Sequence, residues 1–252
     1  MFTNRLKLNM DNTECLVFGT KAQLSKLSFD TITVCNEIIT SVPCVRNLGI
    51  HLDQELKMKM HVSAVVQSVY FQIRKLRSVS KFLSRKSMKA LVQCFVISRL
   101  DYCNSLLYGI SEELLDKLQK VQNAAARLVY GLRKYDHVTH ILKELHWLPI
   151  RYRVEYKIAL ITFKTLRGDG PKYLNELLIP LRKGKGLRSE SYDLLKVPNT
   201  KSKSGGDRSF SVAAPRIWNS LPNETKSYYV YKFKKKSQNP PIQTCIQMLV
   251  IN

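Results

Sequence analysis

Few residues of this chain are spaced for covalent or metal-assisted chemistry. A two-metal polymerase or nuclease needs clustered carboxylates to hold its ions a few ångströms apart. The nine aspartates, from Asp11 to Asp207, are widely spread and no two are adjacent. His137 and His140 lie three apart with His146 beyond them, but without the carboxylate of an H-E-x-x-H site. That spacing reads as structural or surface histidine. Cys103, beside Tyr102 and paired with His146, could be cast as a thiol nucleophile and its base; a buried, inert cysteine is the simpler reading. No G-x-x-x-x-G-K loop is present to cradle a phosphate, and Gly205-Gly206 is the one glycine pair.

What the chain has in excess is positive charge. Forty-one Lys and Arg face nineteen Asp and Glu, a formal net charge of +22 over 252 residues. Such an excess repels itself in the compact state and attracts polyanions, so nucleic acid is the expected partner. An acidic membrane surface fits less well, because no helical stretch joins a broad aromatic face to a polybasic one. No small-molecule substrate is indicated. The N-terminal stretch lacks the apolar core of a signal peptide, and no window approaches a membrane-spanning length. The cysteines at 15, 35, 44, 94, 103 and 245 form no C-x-x-C pair, so free thiols in an intracellular protein, cytoplasmic or nuclear, are expected.

The charge is concentrated. Between Glu55 and Asp101 there is no acidic residue, yet Lys57, Lys59, Arg74, Lys75, Arg77, Lys81, Arg85, Lys86, Lys89 and Arg99 all fall there. Val62, Val66, Val69, Ile73, Leu76 and Leu83 recur at helical spacing and make an apolar arc about 100° wide. Arg74, Lys75, Arg77 and Lys81 project away from that arc. A helix that packs on one side and offers cations on the other can follow phosphates without reading bases.

The elements that must hold these cations follow from pattern. Cys15–Phe18 and Val45–Leu52 read as strands, and Thr31–Cys35 with Ile38-Ile39 reads as a hairpin whose turn lacks glycine. So few short strands read as the end of a larger sheet. Ser84 is placed to cap a helix carrying Met88, Leu91, Val92, Phe95 and Val96. After a break at Gly109, Ser111 caps a second helix with Glu112 and Glu113 in its first turn, where the dipole favours acid. Leu114, Leu118, Val121, Ala125 and Leu128 line its buried face, and Lys117, Lys120 and Arg127 fall off it. Asp136 is expected to cap a short helix, and Trp147-Leu-Pro149 to force a turn. Tyr152–Arg167 is helical by period, and Pro171 suits the first turn of one more helix. Beyond Leu181 the chain turns polar and Lys-, Gly- and Ser-rich. It carries one candidate strand, Tyr192–Val197, an apolar patch around Pro215 and a basic cluster at Lys232–Lys236. The fold class is therefore α+β, mainly α, divided as 1–56, 57–144, 145–180 and 181–252.

Six phrases taken together carry a resemblance. LKLNMDNTE (6–14), VRNLGIHLD (45–53), SRLDYCNSLLYG (98–109), KLQKVQNAAARLVYG (117–131), LHWLPIRYRVEYK (145–157) and GDRSFSVAAPRIWNSLP (206–222) stand in family order. They resemble the C-terminal part of LINE-type, jockey-like non-LTR retrotransposon reverse transcriptases, which are RNA-directed DNA polymerases. The likeness runs to about Lys234. It departs from the family at Asn12, where lysine is usual, and after Phe233-Lys234. It implies that 1–56 is the end of a polymerase palm, with VRNLG as the strand turn that grips the primer end. Arg46 would lie near a phosphate there, and Gly49 would allow close backbone approach. It further implies that the helices from Met58 to about Gly131 are a thumb holding a primer–template duplex by its backbone. Lys117, Lys120, Arg127 and Arg133 then join Arg74, Lys75, Arg77 and Lys81 as candidate backbone contacts. In full-length relatives the magnesium-binding aspartates lie upstream of the phrase matched by LKLNMDNTE, so no catalytic residue and no cofactor are expected here. The expectation is a truncated, catalytically inactive fragment that binds RNA–DNA hybrid or duplex backbones non-specifically. The alternative is a marginally folded product of a decayed element copy, without function.

Overall fold

The structure is a computed structural model that describes residues 9, 12–28, 30–181, 194–200, 205–222 and 226. The basic cluster Lys232–Lys236, the Lys- and Gly-rich run from Arg182, and most of the LKLN phrase lie outside them. The chain forms two compact units, Met1–Ser68 and Val69–Asn252. Its described part is mainly helical with two small antiparallel sheets.

In the first unit a short helix, α1 (Lys21–Leu24), opens on a capping box. The Gln23 amide N–H reaches the Thr20 hydroxyl at 3.3 Å, and the Gln23 side chain accepts from the Thr20 N–H at 2.9 Å. Strands β1 (Thr31–Val34) and β2 (Glu37–Thr40) pair with Ile32 opposite Ile39. Their turn places Cys35 at φ 50° and Asn36 at φ 67°, so a hairpin forms without glycine because Asn tolerates the left-handed region. The stretch expected as one strand over Val45–Leu52 is instead a hairpin, β3 (Cys44–Asn47) and β4 (Ile50–Asp53). Leu48 and Gly49, at φ 47° and 83°, make its two-residue turn. A run of alternating apolar residues conceals such a turn when only one of its two positions is glycine. Cys15–Phe18 is likewise not a strand. Cys15 forms a single bridge to Ser41, and Phe18 is 53% exposed.

Helix α2 (Lys59–Val79) begins just after Asp53, whose carboxylate accepts the N–H groups of Lys57 at 2.7 Å and Met58 at 2.6 Å. Its expected apolar arc is buried at Val62, Val69, Ile73 and Leu76, and half-buried at Val66.

The second unit continues through a 3₁₀ turn (Ser80–Phe82) to α3 (Arg85–Val92). Ser84 caps α3 as expected, accepting from the Ser87 N–H at 3.1 Å. A π-helical turn (Gln93–Ile97) leads into α4 (Ser98–Asp101). Its wider winding rotates the buried face, so Val96 and Ile97 are inside while Phe95, expected on the apolar face, is 46% exposed. After a 3₁₀ segment (Asn104–Leu107) comes α5 (Glu112–Tyr130), with Leu114, Leu118, Val121, Ala125 and Leu128 all buried. Ser111 holds the cap position with extended backbone, but its side chain makes no capping bond.

Helix α6 (Thr139–Leu145) is not capped by Asp136. That carboxylate accepts the Arg133 N–H at 2.7 Å, closing the preceding turn instead. Helix α7 (Ile150–Leu166) starts at Pro149, which serves as its N-terminal cap residue, and buries Val154, Ile158 and Phe163. Pro171 precedes α8 (Lys172–Glu176) in the same way. The patch around Pro215 is a helix, α9 (Phe210–Ser220), that buries Val212, Ala213, Ala214, Ile217 and Trp218. Proline in its interior hid it from a periodicity reading. Of the expected strand Tyr192–Val197, the described part contributes one bridge, Leu195 to Pro180. Helix α7 packs against α5 and α9, and α5 against α3.

Candidate nucleic-acid interface

Buried amides tie the helices that carry the cations. Gln122, fully buried on α5, donates to the Leu148 carbonyl at 2.8 Å and accepts from Gln119 at 2.9 Å. Gln119 in turn accepts the first free N–H of α7, from Ile150, at 2.9 Å. The LQKVQN phrase therefore docks the LPI phrase, supplying by side chain what a helix start cannot supply by backbone. Arg153 on α7 clasps Asp101 through Nε at 2.9 Å and a terminal guanidinium nitrogen at 3.2 Å. Burial pushes the Asp101 carboxyl up and the Arg153 guanidinium down, a desolvation cost that outweighs their mutual attraction in both groups. Arg208 Nε donates to the Tyr108 carbonyl at 2.7 Å and fixes the Gly109 break. Gly109 has φ 68°, and a Cβ there would meet Arg208 Cγ at 2.8 Å.

On this frame lies a groove of about 730 Å³ between the end of α2, the start of α3 and the end of α5. Arg77, Lys81, Arg85, Arg127, Arg133 and Lys134 line it, and among its lining residues none is acidic. Four of these six, Arg77, Lys81, Arg127 and Arg133, are expected backbone contacts, and the fold brings them together from positions up to 56 residues apart. Arg127 is half-buried and its Nε also donates to the Asp136 carbonyl at 3.0 Å, which orients the side chain. Arg85 lies over the Tyr130 ring, 4.6 Å from its centroid. The neighbouring Glu144 carboxylate pushes the Tyr130 phenol up. The Asp136 carboxylate near this face is itself engaged by the Arg133 N–H.

The other expected site residues are not part of the groove. Arg74 and Lys75 are exposed on α2, with Lys75 resting 4.5 Å over the Phe71 ring. Lys117 pairs with Glu113 at 2.6 Å one turn away, and Lys120 is exposed. Arg46 is exposed on β3 opposite His51, and Gly49 occupies the hairpin turn, both in the first unit. Arg85 and Lys134 are the groove residues that the sequence reading left out. Arg85 carried a usable signal, its place in the acid-free interval; Lys134 carried none beyond adjoining Arg133.

His146 is exposed and lines a second cavity, of about 570 Å³, with Lys86, Lys89, Arg153 and Lys157; Cys103 is not among its lining residues. Among the described residues no group of three or more His, Cys, Asp or Glu could hold a metal ion. No described helix is long and apolar enough to cross a membrane. Comparison with protein-family models, curated proteins and solved structures finds no match for this chain.

Proposed function

We propose that this chain carries the palm end, thumb and following region of a LINE-type, jockey-like reverse transcriptase. It grips the backbone of RNA–DNA hybrid or duplex. The observation that carries the reading is the groove of six cations with no acidic lining residue. Guanidinium and ammonium groups spaced along three helix ends suit successive phosphates, which fix position and carry no sequence information. The six family phrases support the polymerase origin, and the sequence holds no adjacent aspartates that could position two metal ions. Nucleic acid, without a small-molecule substrate or a membrane, is the partner, in the cytoplasm or nucleus.

The test is a salt titration of binding to labelled hybrid duplexes of unrelated sequence. Affinity should be similar across sequences and fall steeply with salt, by a log–log slope of about −0.9 per phosphate neutralised. Lys81→Glu with Lys134→Glu should remove most of the affinity and flatten the slope. A flat salt response in the unaltered protein, or unchanged binding in the double variant, would reject the reading.

A further inference from the structure

We propose that the groove takes a single strand whose unpaired bases stack on Phe82 and Tyr135. The inference rests on phosphate binding in the groove and names the form of nucleic acid that fits it best. Phe82 is 86% exposed and Tyr135 is 85% exposed, the two highest values among the exposed large hydrophobic side chains of the described residues. Both adjoin the basic lining. Phe82 stands between lining residues Lys81 and Leu83, and Tyr135 follows lining residue Lys134. Neither ring is itself a lining residue, so each stands outside the groove next to residues that line it, and nearly bare rings flanking a cationic channel are the arrangement that single-strand binders use. Cations follow the backbone, and each ring offers a face to a base of any identity.

Tyr130, the aromatic residue that does line the groove, is half-buried with Arg85 over one face of its ring, so it braces the groove. Phe82 has no polar atom to explain its exposure by hydration. Its place in the 3₁₀ turn Ser80–Phe82, ahead of the extended Leu83, turns it out of the α2 apolar arc. Lys134 Nζ lies over one face of the Tyr135 ring, 5.4 Å from its centroid, which leaves the opposite face of this 85% exposed ring for a base. A blunt duplex keeps its bases paired and inside, and can use the cations but neither ring.

The test compares, by fluorescence anisotropy, a roughly twelve-nucleotide oligothymidylate with an abasic strand of equal length and charge. The full chain should bind the thymidylate strand about ten-fold or more tightly than the abasic one. Phe82→Ala and Tyr135→Ala should each weaken thymidylate binding by about five- to one-hundred-fold while leaving abasic binding unchanged. Phe82→Trp should keep the affinity, and its fluorescence should be quenched by thymidylate but not by the abasic strand. Equal binding of the two strands, with both weakened by Lys81→Glu, would overturn stacking and leave backbone binding standing. Absence of binding to either strand, or binding indifferent to Lys81→Glu, would overturn the underlying reading as well.

Discussion

His61 shows how a single residue ties stability to pH in this protein. It is buried at 5% exposure on α2, its ring centroid 6.4 Å from that of His51, and neither Nδ1 has a hydrogen-bond partner among the described residues. Burial, and secondarily the neighbouring imidazole, hold the His61 pKa below its ordinary 6.5. A depressed histidine folds neutral. Its contribution is complete above the unfolded pKa and is lost as pH falls through the folded one, because the unfolded chain accepts the proton more readily. Asp101 and Glu155 act in the opposite sense. Burial raises both carboxyls, so their contribution is greatest in acid and declines as pH rises through their folded values. The histidine term is therefore isolated by difference: from about pH 7 down to about pH 5 the melting temperature of His61→Gln should fall less than that of the unaltered protein. Parallel melting curves across that range would show that His61 does not titrate with unfolding.

At the scale of elements, cohesion of the second unit depends on a few polar clasps as well as on its apolar faces. Gln122 is the clearest case, since it bonds both the Leu148 carbonyl and Gln119, and Gln119 holds the first N–H of α7. Gln122→Met preserves volume but leaves that carbonyl and the Gln119 amide short of partners. The expected cost is about 1–3 kcal/mol, and a chain of this size loses about 2–4 °C of melting temperature per kcal/mol. Unfolding followed by circular dichroism reads it, and a neutral result would place the α5–α7 junction's stability in its apolar contacts alone. This clasp also marks where sequence stops being informative. The buried stripe of α5 and the Ser84 cap are legible because period and local hydrogen bonding are properties of neighbours along the chain. Gln122 sits at a position where pattern permits a polar residue, and only the approach of Leu148, 26 residues on, makes it a core group. The β3–β4 turn and α9 were missed for local reasons instead: glycine fills only one of the two turn positions, and Pro215 interrupts the helical pattern.

Over the whole molecule, charge sets two responses of opposite sign to the same variable. A net charge of +22 repels itself in the folded state, and the ion pairs of Lys57, Lys117, Arg151 and Arg216 lie at exposed or half-exposed positions, where each is worth little. Within the groove the concentration is higher still, with Arg77, Lys81, Arg85, Arg127, Arg133 and Lys134 lining one surface. The candidate site was half legible on these terms. The acid-free interval announced Arg77 and Lys81, whereas their meeting with Arg127 and Arg133 required the fold. Screening shortens the reach of these repulsions to about 10 Å at about 0.1 M salt. Raising potassium chloride from about 0.05 to about 0.3 M should therefore raise the melting temperature of the free protein by a few degrees. With a saturating oligonucleotide present the order reverses. The ligand adds stability in proportion to the logarithm of its excess over Kd, and counterion release weakens Kd as salt rises. Melting temperatures with and without oligonucleotide should differ most at low salt and converge as salt increases. A free protein whose melting temperature falls over that range would mean that attraction within its ion pairs outweighs the repulsion among its excess cations, and that the groove's cations are not the unbalanced group that nucleic acid relieves.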